Sequence, residues 1–112
     1  MKIAIPLSNG KLSMHFGHCE TFALIDVDTE KKEIITQQKL DPPPHEPGLL
    51  PPWLADQGAN MIIAGGMGQR AQSLFTQQGL QVLVGAPAEP LDSLINQYLS
   101  GTLQLGTNTC DH

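Results

Sequence analysis

Basic and aromatic residues are scarce in this chain, and no long apolar run occurs. Six lysines and arginines stand against eleven aspartates and glutamates, and aromatic residues make up only 4% of the 112 positions. Binding to a nucleic-acid backbone depends on clustered basic residues, so we expect no nucleic-acid partner. A membrane span needs roughly 20 apolar residues in a row, and the apolar run at residues 3–7 is too short for a signal-peptide core. These absences predict a cytoplasmic protein with no membrane partner.

Cysteine is also rare, and both copies lie in two short segments that hold three of the four histidines. The first segment contributes His15, His18 and Cys19, and the second contributes Cys110 and His112. Thiolate and imidazole suit zinc, copper, iron or sulfide clusters, whereas calcium and magnesium ask for oxygen ligands. We expect metal ligands in both segments, with a buried thiol, surface histidines and an unstructured tail as the alternative. Free or ligating thiols are favoured in the cytoplasm, and a Cys19 to Cys110 bridge stays open.

The hydrophobic pattern predicts one domain, residues 1–112, of the α/β class. Its order is βββαβαβα, in which the second and third strands form an antiparallel hairpin and the later strands are parallel. This order predicts a five-stranded mixed sheet with flanking helices. The predicted strands are residues 2–7, 22–27, 33–40, 60–64 and 81–84, and helices start near Leu50, Met67 and Pro90, after a proline-rich irregular connection at 41–52.

A glycine-rich turn separates the fourth predicted strand from the helix that follows it. Gly66, Gly68 and Ala71 satisfy half of a dinucleotide fingerprint, but the next strand ends at Gly85, where an acidic residue should hold the ribose. We therefore expect no nicotinamide or flavin. Backbone N–H groups at the helix N-terminus, with Arg70 in its first turn, would suit an anion. The alternative is a tight turn whose glycines only allow close packing.

Side chains in a catalytic context are missing from the sequence. The first strand has no carboxylate for a two-metal nuclease site, and no G-x-S-x-G elbow occurs. We expect that the protein is not an enzyme, unless a bound cluster supplies the chemistry.

Three stretches of the chain together resemble a known family. They are HFGHCETFALIDVD near the start, IIAGGMGQRAQSLFTQQGLQVLVG in the middle and YLSGTLQ at the end of the last predicted helix. In this order they are similar to the dinitrogenase iron-molybdenum cofactor biosynthesis family, which includes NifX-like proteins, the C-terminal domain of NifB and the small orange protein. The resemblance extends over nearly the whole chain.

The resemblance implies a ribonuclease H-like fold without nuclease activity. It also implies that the protein carries or scaffolds a molybdenum- or iron-containing sulfide cluster, with cluster donor or acceptor proteins as partners. Where the family often has arginine and a small residue, this chain has His18 and Cys19, which favours more direct metal ligation. The residues that would border the cluster are His15, Phe16, Gly17, Gly66, Met67, Gly68 and Arg70.

Two other functions remain open from the sequence. The first is a structural or regulatory zinc or copper site made by His15, His18 and Cys19 with Cys110 and His112. The second is a protein-interaction module without a cofactor, which would dock a partner through the proline-rich loop and Trp53. Trp53 could instead anchor the first helix to the core, because large aromatic side chains dominate cores as well as interfaces.

Overall fold

The first strand of the chain is buried along most of its length, and the rest of the fold is built around it. The computed structural model describes residues 1–13, 21–41 and 49–106. Within them the elements, in chain order, are β1 (Lys2–Ser8), β2 (Lys11–Leu12), β3 (Thr21–Asp28), β4 (Glu33–Leu40), α1 (Leu50–Asp56), β5 (Met61–Ile63), α2 (Gln69–Gln77), β6 (Gln81–Leu83) and α3 (Leu91–Ser100).

The strands form one open mixed sheet in the order β4-β3-β1-β5-β6, with β2 paired to β1 beside this path. β3 runs antiparallel to both β1 and β4. β1, β5 and β6 run parallel to one another. The predicted α/β class, mixed sheet, antiparallel hairpin and flanking helices are therefore confirmed.

The described sheet has six strands, whereas five were predicted. The additional strand is β2, which pairs with the end of β1 through Leu7 opposite Leu12 and Ser8 opposite Lys11. Asn9 and Gly10 between the two strands both have positive φ, 55° and 77°. This is the backbone of a tight hairpin turn, for which Asn-Gly is the strongest short sequence signal. Those residues were interpreted only as the end of β1, and a strand of two residues has no periodicity of its own.

Helices cover the sheet on both faces. α3 packs on one face, where its Leu94 and Ile95 join a fully buried cluster with Ile3 and Ile5 of β1. α1 and α2 contribute Leu54 and Phe75 to a second cluster. Large apolar side chains buried to this extent stabilise a fold by about 1.5–3 kcal/mol each. Burial on both faces explains why β1 is a continuous apolar run.

α1 starts at Leu50 as predicted, whereas α2 and α3 start two residues and one residue later than predicted. Pro51 and Pro52 lie in the first turn of α1, where a missing N–H removes no helical hydrogen bond, so the proline-rich connection ends earlier than expected. α2 begins at Gln69, which leaves Met67 in the preceding loop, and Pro90 is the N-cap of α3. Among the described residues, no helix has the length and apolarity needed to cross a bilayer.

Candidate ligand site at the carboxyl edge of the sheet

The direction in which the chain adds strands to the sheet reverses beside β1. From β1 the chain builds β3 and β4 on one side and then returns to build β5 and β6 on the other. Ile3 lies opposite Met61 and Ala4 opposite Ile62 in a parallel pair, so β1 and β5 end at the same margin of the sheet. We call the margin formed by the carboxyl ends of β1, β5 and β6 the carboxyl edge. Open α/β sheets bind ligands outside the carboxyl ends of their strands where the strand order reverses, and we call this place the crevice. The hairpin strand β2 lies beside it, because β2 pairs with Leu7 on the side of β1 that faces away from β3.

The glycine-rich loop at residues 64–68 leaves β5 at this crevice, and backbone hydrogen bonds hold its first half. The N–H of Ala64 donates to the carbonyl of Leu83 at 2.8 Å, and the N–H of Gly85 donates to the carbonyl of Gly65 at 3.1 Å. The pairing of β5 with β6 thus continues beyond both strands. The loop therefore starts from a fixed position at the carboxyl edge.

Met67, which was predicted to border the cluster, is a core residue in this loop. Its side chain is only 1% exposed and belongs to the apolar cluster that contains Phe22 and Phe75. Its carbonyl accepts a hydrogen bond of 2.9 Å from Nε2 of Gln72 in α2. Met67 therefore fastens the loop to the core and to α2, and its thioether is not available to a ligand at the surface.

Gly68 is the N-cap of α2, and nothing in the described residues requires a glycine there. Its backbone, with φ −64° and ψ 154°, is open to any residue, and a Cβ at this position would meet no atom within 4 Å. Within the described part of the chain, no side chain caps this end of α2. The first N–H groups of a helix have no partner inside the helix and carry partial positive charge. The absence of a side chain at Gly68 leaves these groups open to a ligand.

Arg70 adds a full positive charge beside these N–H groups. It lies in the first turn of α2, as predicted, and its side chain is exposed. A guanidinium group offers several donors in one plane and suits anions that accept more than one hydrogen bond. The loop and the start of α2 together therefore favour negative charge.

Gly66, also predicted to border the cluster, is buried in the loop at residues 64–68. The remaining predicted site residues lie outside the described residues, but both ends of their first segment are described. The N–H of Ser13 donates to the carbonyl of Pro6 at 2.9 Å, and Thr21 pairs with Leu7. The chain before and after residues 14–20 is therefore fixed at the carboxyl end of β1, which is one wall of the crevice. The residues of this segment that were predicted as site residues are His15, Phe16, Gly17, His18 and Cys19.

Two further segments start from the same margin. Leu40 pairs with Phe22, so β4 also ends there, just before residues 42–48. The N–H of Gly106 donates to the carbonyl of Gly85 at 2.7 Å, which fixes the chain at the end of β6 just before residues 107–112. The three segments that start at this margin contain both cysteines and all four histidines of the sequence, with Cys110 and His112 in the last.

No group of three or more His, Cys, Asp or Glu side chains that could hold a metal occurs within residues 1–13, 21–41 and 49–106. An open depression of about 550 Å³ lies along α2 and is lined only by uncharged Gln, Ser and Thr side chains. It offers neither a soft ligand nor a charge for a metal cluster. The crevice at the carboxyl edge is thus the better candidate.

The contact between Gly85 and Gly106 was not predicted from the sequence. Gly85 has φ +85°, and a Cβ there would overlap the carbonyl group of Gly106. From the sequence, Gly85 was considered only as the position at which a dinucleotide site would have an acidic residue. A glycine directly after a strand could have suggested a backbone with positive φ, but the sequence does not tell which segment packs against it.

Trp53 has a structural partner. Its ring lies 5.8 Å from that of Phe22 in an edge-to-face arrangement with an interplanar angle of 62°. It is half-buried and packs against the cluster beneath α1 and α2. Trp53 therefore anchors α1, and it gives no support to a docking role.

These observations define a small α/β protein with an open mixed sheet and a glycine-rich loop at the point where the strand order reverses. The family described as dinitrogenase iron-molybdenum cofactor matches residues 1–101, and the chain belongs to this family. The resemblance seen in the sequence is thereby confirmed. Membership supports a role in the biosynthesis of the iron-molybdenum cofactor.

Individual relatives agree with this assignment. An uncharacterized protein of Methanocaldococcus jannaschii is 34% identical over 107 residues, which cover 93% of this chain and 90% of the relative. The crystal structure of the protein PH0822 superposes with a TM-score of 0.86 at 27% identity and covers 94% of each chain. The apo orange protein of Desulfovibrio gigas superposes with a TM-score of 0.71 at 20% identity, over 96% of this chain and 93% of that one. At this identity the orange protein shows a shared fold alone.

Proposed function

We propose that this chain is a small, non-catalytic protein that carries or scaffolds a molybdenum- or iron-containing sulfide cluster as its cargo. The cluster would bind in the crevice at the carboxyl edge, between residues 15–19 and the loop at residues 64–68. Proteins that donate or accept the cluster would be its partners, and the cytoplasm its location. We also propose that the fold is ribonuclease H-like.

The observation that carries the proposal is the uncapped start of α2 behind Gly68. Among the residues that the structure describes, a Cβ at Gly68 would meet nothing and no side chain caps the helix, and Arg70 lies in the first turn. Sulfide clusters of these metals are anionic, and the open N–H groups and the guanidinium group both favour an anion.

The helix terminus alone would hold a cluster only weakly. A charge at an exposed helix end contributes about 0.3–1 kcal/mol, which is far from the roughly 8 kcal/mol of a micromolar complex. Soft ligands must supply the rest, and we assign them to His15, His18 and Cys19, with Cys110 and His112 from the tail. That assignment is supported by the common margin at which both segments begin.

The first test is elemental and labile-sulfide analysis, with a visible spectrum, of protein isolated without oxygen from its native host. Molybdenum or iron together with sulfide, near one cluster per chain, is the expected result. The apo-protein would then be titrated anaerobically with tetrathiomolybdate, comparing wild type with Cys19→Ser and His15→Ala. An affinity for tetrathiomolybdate that is unchanged in both variants would overturn the assigned site. A protein that contains no labile sulfide when isolated and does not bind tetrathiomolybdate would overturn the proposed function.

A zinc or copper site is the second candidate, because the same cysteines and histidines suit a simple ion. Such an ion would stabilise the folded protein by mass action. We would measure the thermal unfolding midpoint under reducing conditions with and without excess zinc. A midpoint that does not shift would remove this candidate.

A further inference from the structure

We propose that Asn9 is a site of spontaneous chemical modification, at which the folded protein converts a side-chain amide into a carboxylate. The reaction needs no enzyme, and its only co-reactant is water. The inference rests on the turn between β1 and β2. It does not depend on the proposed function and would hold whatever the chain binds.

The turn between β1 and β2 combines the features on which this reaction depends. Asparagine is one of the thermally labile residues, and Asn9 is the single asparagine of the sequence that is followed by glycine. Gly10 has no side chain to hinder a reaction at its backbone nitrogen. Both residues are exposed, so water reaches them. Within the part of the chain that the structure describes, no hydrogen bond holds the N–H of Gly10, and its nitrogen is therefore available as a nucleophile.

The first step closes a ring and releases ammonia. The backbone nitrogen of Gly10 gives up its proton and forms a bond to Cγ of Asn9. The bond between Cγ and Nδ2 breaks, and Nδ2 leaves as ammonia with that proton. The product is a five-membered succinimide ring. The reacting atoms belong to neighbouring residues, so the step is intramolecular and gains from their proximity.

The second step opens the ring with water. Water adds to one of the two ring carbonyl carbons, and the bond from that carbon to the nitrogen of Gly10 breaks as the nitrogen regains a proton. Opening at Cγ gives aspartate. Opening at the backbone carbonyl carbon gives isoaspartate, in which the main chain runs through the former side chain. In both products a hydroxyl oxygen from water has replaced the amide nitrogen, and nothing is oxidised or reduced.

The hairpin geometry allows the ring to close in the folded protein. Asn9 has φ 55° and Gly10 has φ 77°, which is the pattern of a type I′ turn. The closed ring holds ψ of Asn9 negative, and a positive φ with a negative ψ is the first central position of a type II′ turn. Both turn types are favoured in β-hairpins. They differ by a rotation of the peptide plane between the two residues, so ring closure need not separate β1 from β2.

The modification would change β2 and the carboxyl edge beside it. Either product places a carboxylate in the turn, and this group is charged at neutral pH. Isoaspartate also lengthens a two-residue loop by one main-chain atom, and loop length fixes the register of a hairpin, here Ser8 opposite Lys11. The N–H of Leu12 donates to the carbonyl of Glu89 at 3.1 Å. We expect isoaspartate to weaken this hold on β2 and on Ser13, from which residues 14–20 start.

The test is a time course of the folded full chain in mildly alkaline water labelled with a heavy oxygen isotope. Peptides are analysed by mass spectrometry, and isoaspartate is detected by enzymatic methylation. We expect labelled aspartate and isoaspartate to accumulate at Asn9. Asn96 is the control within the chain, because it is exposed but lies in α3, where helical hydrogen bonds restrict ψ. Asn9→Gly is the control variant, because two glycines suit the same turn, and it should give no product there.

The same time course in urea separates a reaction of the folded protein from a reaction of unfolded molecules. About one native molecule in a thousand, or fewer, is unfolded at any moment, so a reaction confined to these molecules would be slower than in urea by about a thousandfold or more. We expect the folded protein to react more slowly than the urea sample by less than this factor. A loss of this size would overturn the proposal, and so would equal labelling of Asn9 and Asn96 in the folded protein.

Amide hydrogen exchange tests the effect on β2 in the same samples. Protein that has accumulated isoaspartate should exchange the amides of Leu12 and Ser13 faster than fresh protein does. Asn9→Gly protein incubated in the same way should keep its original exchange rates. Unchanged protection of both amides in a sample that contains isoaspartate would overturn the inferred weakening of β2.

Discussion

Gly106 donates its N–H to the carbonyl of Gly85 at 2.7 Å, and the two backbones pass too close for a side chain at Gly85. This contact fixes the last described residues at the end of β6. It determines where the segment with Cys110 and His112 begins.

Replacement of Gly85 by alanine should release this part of the chain. The strain of a positive φ costs a residue other than glycine about 1–2 kcal/mol, and the overlap with Gly106 adds to it. Gly79 provides the control, because it has φ +86° but a Cβ there would meet nothing. We expect Gly85→Ala to lower the free energy of unfolding in urea more than Gly79→Ala does, with faster exchange of the Gly106 amide. Equal losses in the two variants would contradict the contact.

Much of the fold was predictable because its cause is local. Continuous apolar runs such as Phe22 to Val27 mark strands that are buried on both faces, and Gly79 and Gly101 mark helix ends with positive φ. The reversal of strand order beside β1 and the approach of Gly106 to Gly85 depend on contacts between distant segments. No local pattern encodes such contacts.

The candidate site also has a part that was predictable from a local motif and a part that was not. The glycines and Arg70 at the start of α2 were predicted from a motif, and the position of that helix is confirmed. Met67 is buried, which the sequence could not decide, because an apolar residue beside a glycine fits an exposed loop position and a core position equally well. Its contact with a cluster stays a prediction. The roles of His15, His18 and Cys19 stay predictions.

Replacement of Gly68 by serine should stabilise the protein and weaken ligand binding. Serine is a good N-cap, and its hydroxyl would accept a hydrogen bond from the open N–H groups of α2. Together with the smaller entropy of the unfolded chain, this should raise the free energy of unfolding by about 0.5–1 kcal/mol. The same bond would compete with an anion, so the affinity for tetrathiomolybdate should fall.

Gly68→Ala is the matched variant for this prediction. Alanine adds a Cβ that contacts nothing and has no oxygen to cap the helix. The free energy of unfolding should therefore change by less than about 1 kcal/mol. Wild type and both variants are compared by urea unfolding and by anaerobic titration with tetrathiomolybdate, using the same preparations for the two measurements. A serine variant that binds the probe as tightly as wild type would show that the N–H groups of α2 are not part of the site.

Replacement of Met67 should show whether its side chain only packs in the core or also binds the ligand through sulfur. Met67→Ala leaves a cavity among Phe22 and Phe75 and should reduce the free energy of unfolding by about 2–5 kcal/mol. Met67→Leu conserves the volume and should cost less than about 1.5 kcal/mol. Because the thioether is buried, the leucine variant should bind tetrathiomolybdate like wild type. Lost binding in a stable leucine variant would place the sulfur at the ligand after all.

Arg70 should distinguish an anionic cluster from a simple metal ion. It is exposed and lies in the first turn of α2, so Arg70→Glu should leave stability nearly unchanged, and a carboxylate there complements the helix dipole. A negatively charged thiometallate would lose an attractive charge and meet a repulsive one, so its affinity should fall by about tenfold. Zinc would meet a less positive surface, and its affinity should stay the same or rise. Parallel titrations of wild type, Arg70→Glu and the charge-matched Lys31→Glu, at low and high salt, measure both effects, because Lys31 is exposed in the turn between β3 and β4 at the other end of the sheet. If Arg70→Glu weakened zinc binding and left thiometallate binding intact, the start of α2 would not be the seat of an anionic cluster.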